Sequence, residues 1–217
     1  TVCGIYPDSA CRSLKMALSE IHHVPKEWIS CGNGGADLIF ALVAALRPRH
    51  ALLLAPSFLE YSQALHLWGC ETDSFMLRED EDFSLDPFRL KEALFRARAE
   101  KQPYDILFLC NPNNPTGLPV KKEIVEEIGV VCKETGTWLA VDECFCDFLD
   151  EPEAYSAIPK LKDLDHVIVL KAFTKIYAMA GLRLGYSLCA DQELNIRLET
   201  VRQPWSVSGP AQRAGIA

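Results

Sequence analysis

The chain has 217 residues, of which 49% are hydrophobic and 24% are charged, a balance typical of globular proteins that excludes a disordered or low-complexity chain. Its 30 acidic and 22 basic side chains give a formal net charge of −8, so a general nucleic-acid surface, which needs a basic footprint, is not expected. The longest apolar stretch, residues 38–46, is far shorter than the ~20 residues of a membrane-spanning helix, and no signal-peptide pattern opens the chain, so we expect a cytoplasmic protein without a membrane segment.

Apolar runs of strand length alternate with segments of helical period along the chain. In chain order, the predicted elements are a helix over 35–46, a strand over 51–55, helices over 58–67 and 86–100, a strand over 105–110, a helix over 120–135, and strands over 138–141, 166–170 and 184–189. Because the strands are continuous apolar runs, helices are expected to cover both faces of the sheet. The prediction is an α/β three-layer sandwich with a mostly parallel central sheet.

The cysteine content is high, with nine cysteines in the chain. An odd number leaves at least one thiol unpaired within the chain, and no two cysteines are spaced as C-x-x-C. We therefore favour reduced, mostly buried thiols over a zinc site or a disulfide framework, and we predict no metal site.

Polar segments follow three of the predicted strands, and a glycine cluster opens the first predicted helix. The segments are residues 111–117 (NPNNPTG), Asp142 with Glu143, and residues 171–175 (KAFTK), while the glycine cluster spans residues 32–35. In open parallel sheets, ligands bind beyond the carboxyl ends of the strands. We therefore expect these four segments, which are far apart in sequence, to converge at one edge of the sheet.

Three of these segments can serve a ligand, and each also has an ordinary structural explanation. Glycines at a helix start let backbone N–H groups approach a phosphate, although a tight turn before a helix explains them as well. Asp142 can hold a proton on a basic ring nitrogen, or it can cap a helix. Asn114 lies in a loop stiffened by Pro112 and Pro115, which can aim one amide side chain or simply form a turn.

The fourth segment contains two lysines that can act as a nucleophile. A lysine amine forms a Schiff base with an aldehyde, and spacing alone does not decide between Lys171 and Lys175; a solvated surface lysine is the alternative for either. Thr174 offers a hydroxyl, and Arg183 offers a guanidinium group whose paired N–H donors can bind a phosphate. A phosphate cradle, an acid, an amide, a lysine and an arginine together match the phosphate, pyridine nitrogen, phenolic oxygen and aldehyde of pyridoxal 5'-phosphate (PLP).

Motifs in the same order along nearly the whole chain resemble those of the fold-type I PLP enzymes, specifically the class I/II aminotransferase family. The nearest branches are the histidinol-phosphate aminotransferases and the threonine-phosphate decarboxylases. The matching motifs are IYPD (5–8), GNGGAD (32–37), PSFLEY (56–61), NPNNPTG (111–117), VDECF (141–145) and FTKIYAMAGLRLGY (173–186). The resemblance implies that residues 1–217 are the PLP-binding large domain, truncated at both ends, with the C-terminal small domain missing.

The resemblance also implies a role for each matched position. Lys175 would form the Schiff base with the cofactor, and Asp142 would pair with its pyridine nitrogen, making these two the catalytic residues. Asn114 would hydrogen-bond the phenolic oxygen, and Phe58 would stack on the ring. The phosphate would be held by the backbone N–H groups of Gly34, Gly35 and Ala36, assisted by Thr174 and Arg183.

Other positions bear on assembly and on the reaction. Tyr6 resembles a tyrosine that reaches the phosphate of the partner subunit, which implies a homodimer. Phe145 stands where many aminotransferases have a tyrosine, and Ala172 stands where a hydroxyl is common. The arginine that grips the substrate carboxylate would lie in the small domain, outside this chain.

The leading functional prediction is a PLP-dependent aminotransferase that moves an amino group between an amino acid or a phosphorylated amino compound and a 2-oxo acid. The first alternative is a threonine-phosphate decarboxylase of cobalamin biosynthesis, which the sequence DECF favours slightly. A non-catalytic PLP-binding fragment is the second alternative. A nucleotide-binding dehydrogenase is the weakest, because it rests on GNGGAD alone and explains neither Lys175 nor NPNNPTG.

Overall fold

In the computed structural model, which describes residues 2–217, seven strands form one sheet between two layers of helices. The strands are β1 (Ile29–Gly32), β2 (His50–Ala55), β3 (Glu71–Met76), β4 (Ile106–Cys110), β5 (Trp138–Asp142), β6 (Val167–Ala172) and β7 (Gly185–Cys189). The helices are α1 (Arg12–His22), α2 (Gly35–Leu46), α3 (Leu59–Leu67), α4 (Pro87–Ala99), α5 (Lys122–Thr135), α6 (Gln192–Val201) and α7 (Gly209–Ile216).

The sheet is mixed but mostly parallel, as the sequence predicts. Its strand order is β1-β7-β6-β5-β4-β2-β3. The strands β3, β2, β4, β5 and β6 run parallel to one another, whereas β7 is antiparallel to both β6 and β1. The parallel strands β4, β5 and β6 therefore end at the same edge of the sheet.

Alternate residues of the central strands enter two separate cores. In β4, Leu107 and Leu109 join a core with the buried residues of α1, α4, α5 and α7, on the side we call the α1 face. Ile106, Phe108 and Cys110 join a second core with α2, α3 and α6, on the side we call the α2 face. Strand residues alternate between the faces of a sheet, so burial on both faces explains the continuous apolar runs in the sequence.

All nine predicted elements occur, with ends that differ by two residues or fewer. Local chemistry sets several of these ends. Asp86 caps α4 by accepting hydrogen bonds from the backbone N–H groups of Phe88 and Arg89. Gly136 follows α5 with a φ of 78°, the left-handed conformation that commonly ends a helix.

Five elements were missed by the sequence patterns, namely α1, α6, α7, β1 and β3. The strand β1 has only four residues, which is too short for a clear run. β3 is an edge strand whose residues are mostly exposed, so it carries polar side chains where an apolar run would be sought.

The lengths and the hydropathy of the helices bear on the question of a membrane segment. No helix among residues 2–217 is long and apolar enough to cross a membrane.

The cysteines are free thiols, and all are buried except Cys3, which is exposed, and Cys144, which is partly buried. The expectation of mostly buried thiols is therefore confirmed.

Candidate cofactor site

A cavity of about 220 Å³ lies at the carboxyl ends of β4, β5 and β6, beside the start of α2. The four polar segments singled out in the sequence all contribute to its wall, so the predicted convergence is confirmed. The lining residues are Gly35, Ala36, Ile39, Phe58, Glu60, Cys110, Asn114, Asp142, Cys144, Phe145, Ala172, Thr174, Lys175, Ala180 and Arg183.

The glycine cluster forms a tight backbone cradle against Arg183. Gly34 has a φ of 90°, and a Cβ added there would lie 2.6 Å from Nη2 of Arg183. A Cβ on Gly185 would lie 2.8 Å from the backbone of both Gly34 and Gly35. The guanidinium group is therefore packed directly over the glycine that precedes α2, where free backbone N–H groups and the helix dipole favour an anion.

Asp142 ends β5 with its carboxylate buried on the α2 face. Its Oδ2 accepts a hydrogen bond from the hydroxyl of Tyr61 at 2.7 Å. Its Oδ1 accepts a hydrogen bond from the backbone N–H of Cys144 at 3.0 Å. Asp142 is only 5% exposed, yet it lines the cavity, so a buried carboxylate is directed at any molecule that occupies it.

The NPNNPTG loop uses two of its three asparagines to hold itself in place. Nδ2 of Asn111 donates to the carbonyls of Val120 and Tyr155. Nδ2 of Asn113 donates to the carbonyl of Pro56 and to the hydroxyl of Thr116. Asn114, the third asparagine, lines the cavity instead.

The two candidate lysines lie in different environments. Lys171 belongs to β6 and projects to the α1 face, where its Nζ pairs with Oδ1 of Asp147 at 2.6 Å. Lys175 follows the end of β6 and lines the cavity, with its Nζ 5.3 Å from the ring centroid of Phe145. The geometry therefore favours Lys175 over Lys171, a choice that spacing alone left open.

Lys171 is part of a buried group of charges behind the cavity. Burial raises the pKa of Glu143 to about 7, because no solvent stabilises its charged form. Its carboxylate accepts hydrogen bonds from Ser156 Oγ and from the backbone N–H of Ala157, both at 2.7 Å. Burial opposes the charge of Lys171, but the carboxylates of Glu143 and Asp147 outweigh it and raise its pKa.

The remaining predicted residues fall inside and outside the cavity. Phe58, Thr174 and Ala36 line it. Tyr6 does not; it lies on the surface, 80% exposed, with its ring centroid 4.9 Å from that of Trp205. A residue that serves the site of a partner subunit would be accessible in this way, but the homodimer and this role for Tyr6 stay predictions.

Tyr61 is the main site residue that the sequence reasoning missed. It stands in the quoted motif PSFLEY, in the first turn of α3 and three residues after Phe58, the residue that directly precedes this helix. The short distance to Phe58 in the motif was a usable signal, whereas the contact with Asp142 depends on how the side chain of Tyr61 packs against Phe108 of β4. Glu60, Ile39, Cys110 and Cys144 also line the cavity without having been nominated.

The fold matches solved structures of known enzymes. The chain aligns with the histidinol-phosphate aminotransferase from Sinorhizobium meliloti, solved in complex with pyridoxal 5'-phosphate, with a TM-score of 0.86 at 23% identity. The alignment covers 99% of this chain and 56% of that chain. The architecture is that of the large domain of fold-type I aminotransferases.

Sequence comparison then identifies the family. The family model "Aminotransferase class I and II" matches residues 2–217, and the chain belongs to this family. The chain is 40% identical to the threonine-phosphate decarboxylase of Salmonella typhimurium and 34% identical to the histidinol-phosphate aminotransferase of Desulfitobacterium hafniense (strain DSM 10664 / DCB-2). Each match covers 97% of this chain but only 55% and 56% of the respective relative, so the chain spans about half the length of these proteins.

Proposed function

We propose that the protein is a PLP-dependent enzyme that breaks a bond at the Cα of a phosphorylated amino acid, and that the bond broken is the one to the carboxylate. The observation that carries the proposal is the convergence of Lys175, Asp142 and Asn114 with an anion cradle in one cavity. The family membership and a relative solved with PLP support the cofactor expected from the sequence, pyridoxal 5'-phosphate.

The residues of the cavity fit the phosphate of this cofactor. The N–H groups of Gly35 and Ala36 lie in the first turn of α2, where they lack helical partners. Arg183 adds a positive charge over Gly34, and Thr174 adds a hydroxyl on the cavity wall. Backbone donors, a helix dipole and a guanidinium together bind a dianion without burying an unpaired charge.

The remaining groups fit the ring. When bound, PLP withdraws electrons from the Cα of an amino acid joined to it. Asp142 would hold a proton at the ring nitrogen, Asn114 would donate to the phenolic oxygen, and Phe58 would cover one face of the ring. Lys175 would hold the cofactor aldehyde and then carry a proton to or from the substrate Cα.

Two reactions differ only in the bond that breaks at Cα. In decarboxylation the Cα–carboxylate bond breaks, carbon dioxide leaves, and a proton takes its place. In amino transfer the Cα–H bond breaks and the amino group passes to a 2-oxo acid. Decarboxylation of threonine phosphate is favoured here by the 40% identity to a threonine-phosphate decarboxylase and by Phe145, which lines the cavity where many aminotransferases carry a tyrosine.

Amino transfer remains the second candidate, and it was the leading prediction from the sequence alone. The observation that favours it is the 34% identity to a histidinol-phosphate aminotransferase over 97% of this chain. Both reactions use the same cofactor groups, so the choice does not alter the roles proposed for Lys175 and Asp142.

The cofactor assignment is tested by adding PLP to the purified protein, recording the visible spectrum, reducing with borohydride and mapping the labelled peptide. We expect a visible band and a label on Lys175. A label on Lys171 or on any other lysine, or no band at all, would contradict the proposal.

The reaction is tested by giving the full-length protein L-threonine O-phosphate, with and without a 2-oxo acid. Release of carbon dioxide that is independent of the 2-oxo acid supports decarboxylation. Consumption of the 2-oxo acid in equal amounts with the amino substrate, without release of carbon dioxide, supports amino transfer instead.

The proposed homodimer can be tested through Tyr6. If Tyr6 reaches the phosphate in the partner's cavity, subunits with Tyr6→Ala and subunits with Lys175→Ala form mixed dimers that contain one intact site. Mixing two weakly active preparations of the full-length protein is then expected to restore part of the activity. No gain on mixing, although mixed dimers form, would place Tyr6 outside the site.

A further inference from the structure

We infer that Tyr61 is a positioning residue for Asp142: by one buried hydrogen bond from α3, it fixes the carboxylate that faces the cofactor's ring nitrogen. The inference rests on the proposed function, because it assigns how Asp142 is held toward the ring. The hydroxyl of Tyr61 donates to Oδ2 of Asp142 at 2.7 Å. Tyr61 is 1% exposed and Asp142 is 5% exposed, so solvent does not compete for the bond.

The ring of Tyr61 is itself held rigidly. It stacks on Phe108 of β4 with a centroid distance of 4.7 Å and an interplanar angle of 12°. Phe58 meets it edge-on, with a centroid distance of 5.5 Å. The hydroxyl therefore reaches from α3 across β4 to the end of β5, and it lacks the freedom to swing away from Asp142.

The direction of the hydrogen bond is fixed by protonation. Burial, with the nearby charge of Asp142, raises the pKa of Tyr61 well above its ordinary value, so the hydroxyl stays protonated and donates. The other oxygen of Asp142 accepts from the backbone N–H of Cys144 at 3.0 Å. With one donor on each oxygen, the plane of the carboxylate is set before any cofactor enters.

This arrangement also affects the charge of the ring. With its plane fixed, the carboxylate of Asp142 would face the protonated ring nitrogen and stabilise its positive charge. Without the donor the carboxylate is free to turn away, which leaves less positive charge on the ring. The other titratable groups that line or flank this part of the site are Glu60 on α3, Cys110 on β4, Cys144 after β5, and Lys175 and Arg183 between β6 and β7.

The test is Tyr61→Phe in the full-length protein, which removes the hydroxyl and keeps the ring. Tyr104→Phe is the matched control, because the hydroxyl of Tyr104 donates to Oδ2 of Asp73 at 2.8 Å, outside the residues that line the cavity. The readouts are the Kd for PLP, the pH midpoint of the visible band of the bound cofactor, and kcat and KM.

For Tyr61→Phe we expect the Kd for PLP to rise and kcat to fall, each about tenfold, the effect of one lost hydrogen bond to a charged group. KM should change less than kcat. With less positive charge on the ring, the nitrogen that joins Lys175 to the cofactor would hold its proton more tightly. The pH midpoint of the visible band should therefore move to higher pH. Tyr104→Phe should leave the Kd and the midpoint unchanged.

A double-mutant cycle separates positioning from general stability. If Tyr61 acts through Asp142, adding Tyr61→Phe to Asp142→Asn should change the Kd by much less than it does in the wild type. A Tyr61→Phe protein with a lower melting temperature but an unchanged Kd and midpoint overturns the inference, as does full additivity in the cycle. A wild-type protein that gives no visible band with PLP overturns the proposed function and this inference with it, whereas a normal wild-type band with an unchanged variant overturns only the role of Tyr61.

Discussion

Two groups of charged side chains lie at the same edge of the sheet, on opposite faces, and their polar atoms are used differently. On the α1 face, Lys171 pairs with Asp147, and Glu143 is bound by Ser156 and a backbone N–H. On the α2 face, Asp142 and Lys175 line a cavity. Asp142 and Glu143 are neighbours in sequence, so one step along the chain separates the two groups.

The comparison shows how a buried charge can indicate a function. Charges whose partners all belong to the chain stabilise or specify the fold, and removing one of them leaves another uncompensated. Charges that are held in place but turned to a cavity are available to a ligand. On the α1 face, Lys171 and Asp147 also border a cavity, of about 370 Å³, but there they form an ion pair with each other. On the α2 face, Asp142 and Lys175 line the cofactor cavity and form no ion pair within residues 2–217, so the α2-face group is the one whose charges are open to a ligand.

The largest expected effects come from replacing each of the two lysines separately by alanine. Lys175→Ala should remove the borohydride-stable label and lower activity by about a thousandfold or more, because the covalent attachment and the proton carrier are lost together. Its melting temperature should stay near that of the wild type, since Lys175 is exposed. Activity, labelling and thermal melting of the purified variant check this expectation.

Lys171→Ala should instead lower the stability of the protein and leave the label on Lys175 in place. It leaves the buried Glu143 and the half-buried Asp147 without their cation, and we expect it to cost about 2–3 kcal/mol of unfolding free energy. Any protein that remains folded should still carry the label on Lys175. If Lys171→Ala were as stable as the wild type but could not be labelled, the assignment of the two faces would be wrong.

The sequence was sufficient to predict the middle of the sheet and most of the cavity. Buried parallel strands such as β4 are continuous apolar runs, and the turns after them carry recognisable motifs. The resemblance to a family then assigned Lys175 and Asn114 individually. The placement of residues 1–217 as one cofactor-binding domain of a larger enzyme stays a prediction.

What sequence reasoning could not supply depends on packing between distant segments. The contact of Tyr61 with Asp142 joins residues 81 positions apart. Spacing alone did not decide between Lys171 and Lys175, and the resemblance favoured Lys175. The physical reason is the end of β6, which runs through Ala172 and so sends Lys171 to the α1 face. The missed edge strand β3 shows the same limit, since exposed strands have no apolar signature.

A smaller effect is expected at the cradle of the α2-face group, from Gly34→Ala. The new Cβ would lie 2.6 Å from Nη2 of Arg183, at a φ of 90° that L-residues rarely adopt. Arg183 would have to move away from the start of α2, so we expect PLP to bind about tenfold to a hundredfold more weakly, for roughly 1–3 kcal/mol of strain and lost contact. Gly69→Ala is the control, because it has a comparable φ of 69° but nothing within 4 Å of the added Cβ. Equal affinity in the two variants would show that Arg183 does not depend on this glycine.

The last expected effect concerns the pH dependence of stability on the α1 face. Burial raises the pKa of Glu143 to about 7, so between its ordinary value near 4.5 and about 7 the folded protein binds more protons than the unfolded chain. Burial lowers the pKa of His22, which hydrogen-bonds Tyr186, from 6.5 to about 4, so over that range the unfolded chain binds more protons. Stability from Glu143 therefore falls as pH rises, whereas stability from His22 rises, and the two slopes oppose each other between about pH 4.5 and 6.5.

Single variants should separate these slopes. Glu143→Gln removes the falling contribution, so its unfolding free energy should rise with pH across this window relative to the wild type. His22→Gln removes the rising contribution, so its unfolding free energy should fall with pH relative to the wild type. Denaturant unfolding at pH 4.5, 5.5 and 6.5 measures both, with an expected difference for Glu143→Gln on the order of 2–3 kcal/mol across the window. Parallel curves for the two variants would contradict the burial of both groups in their uncharged forms.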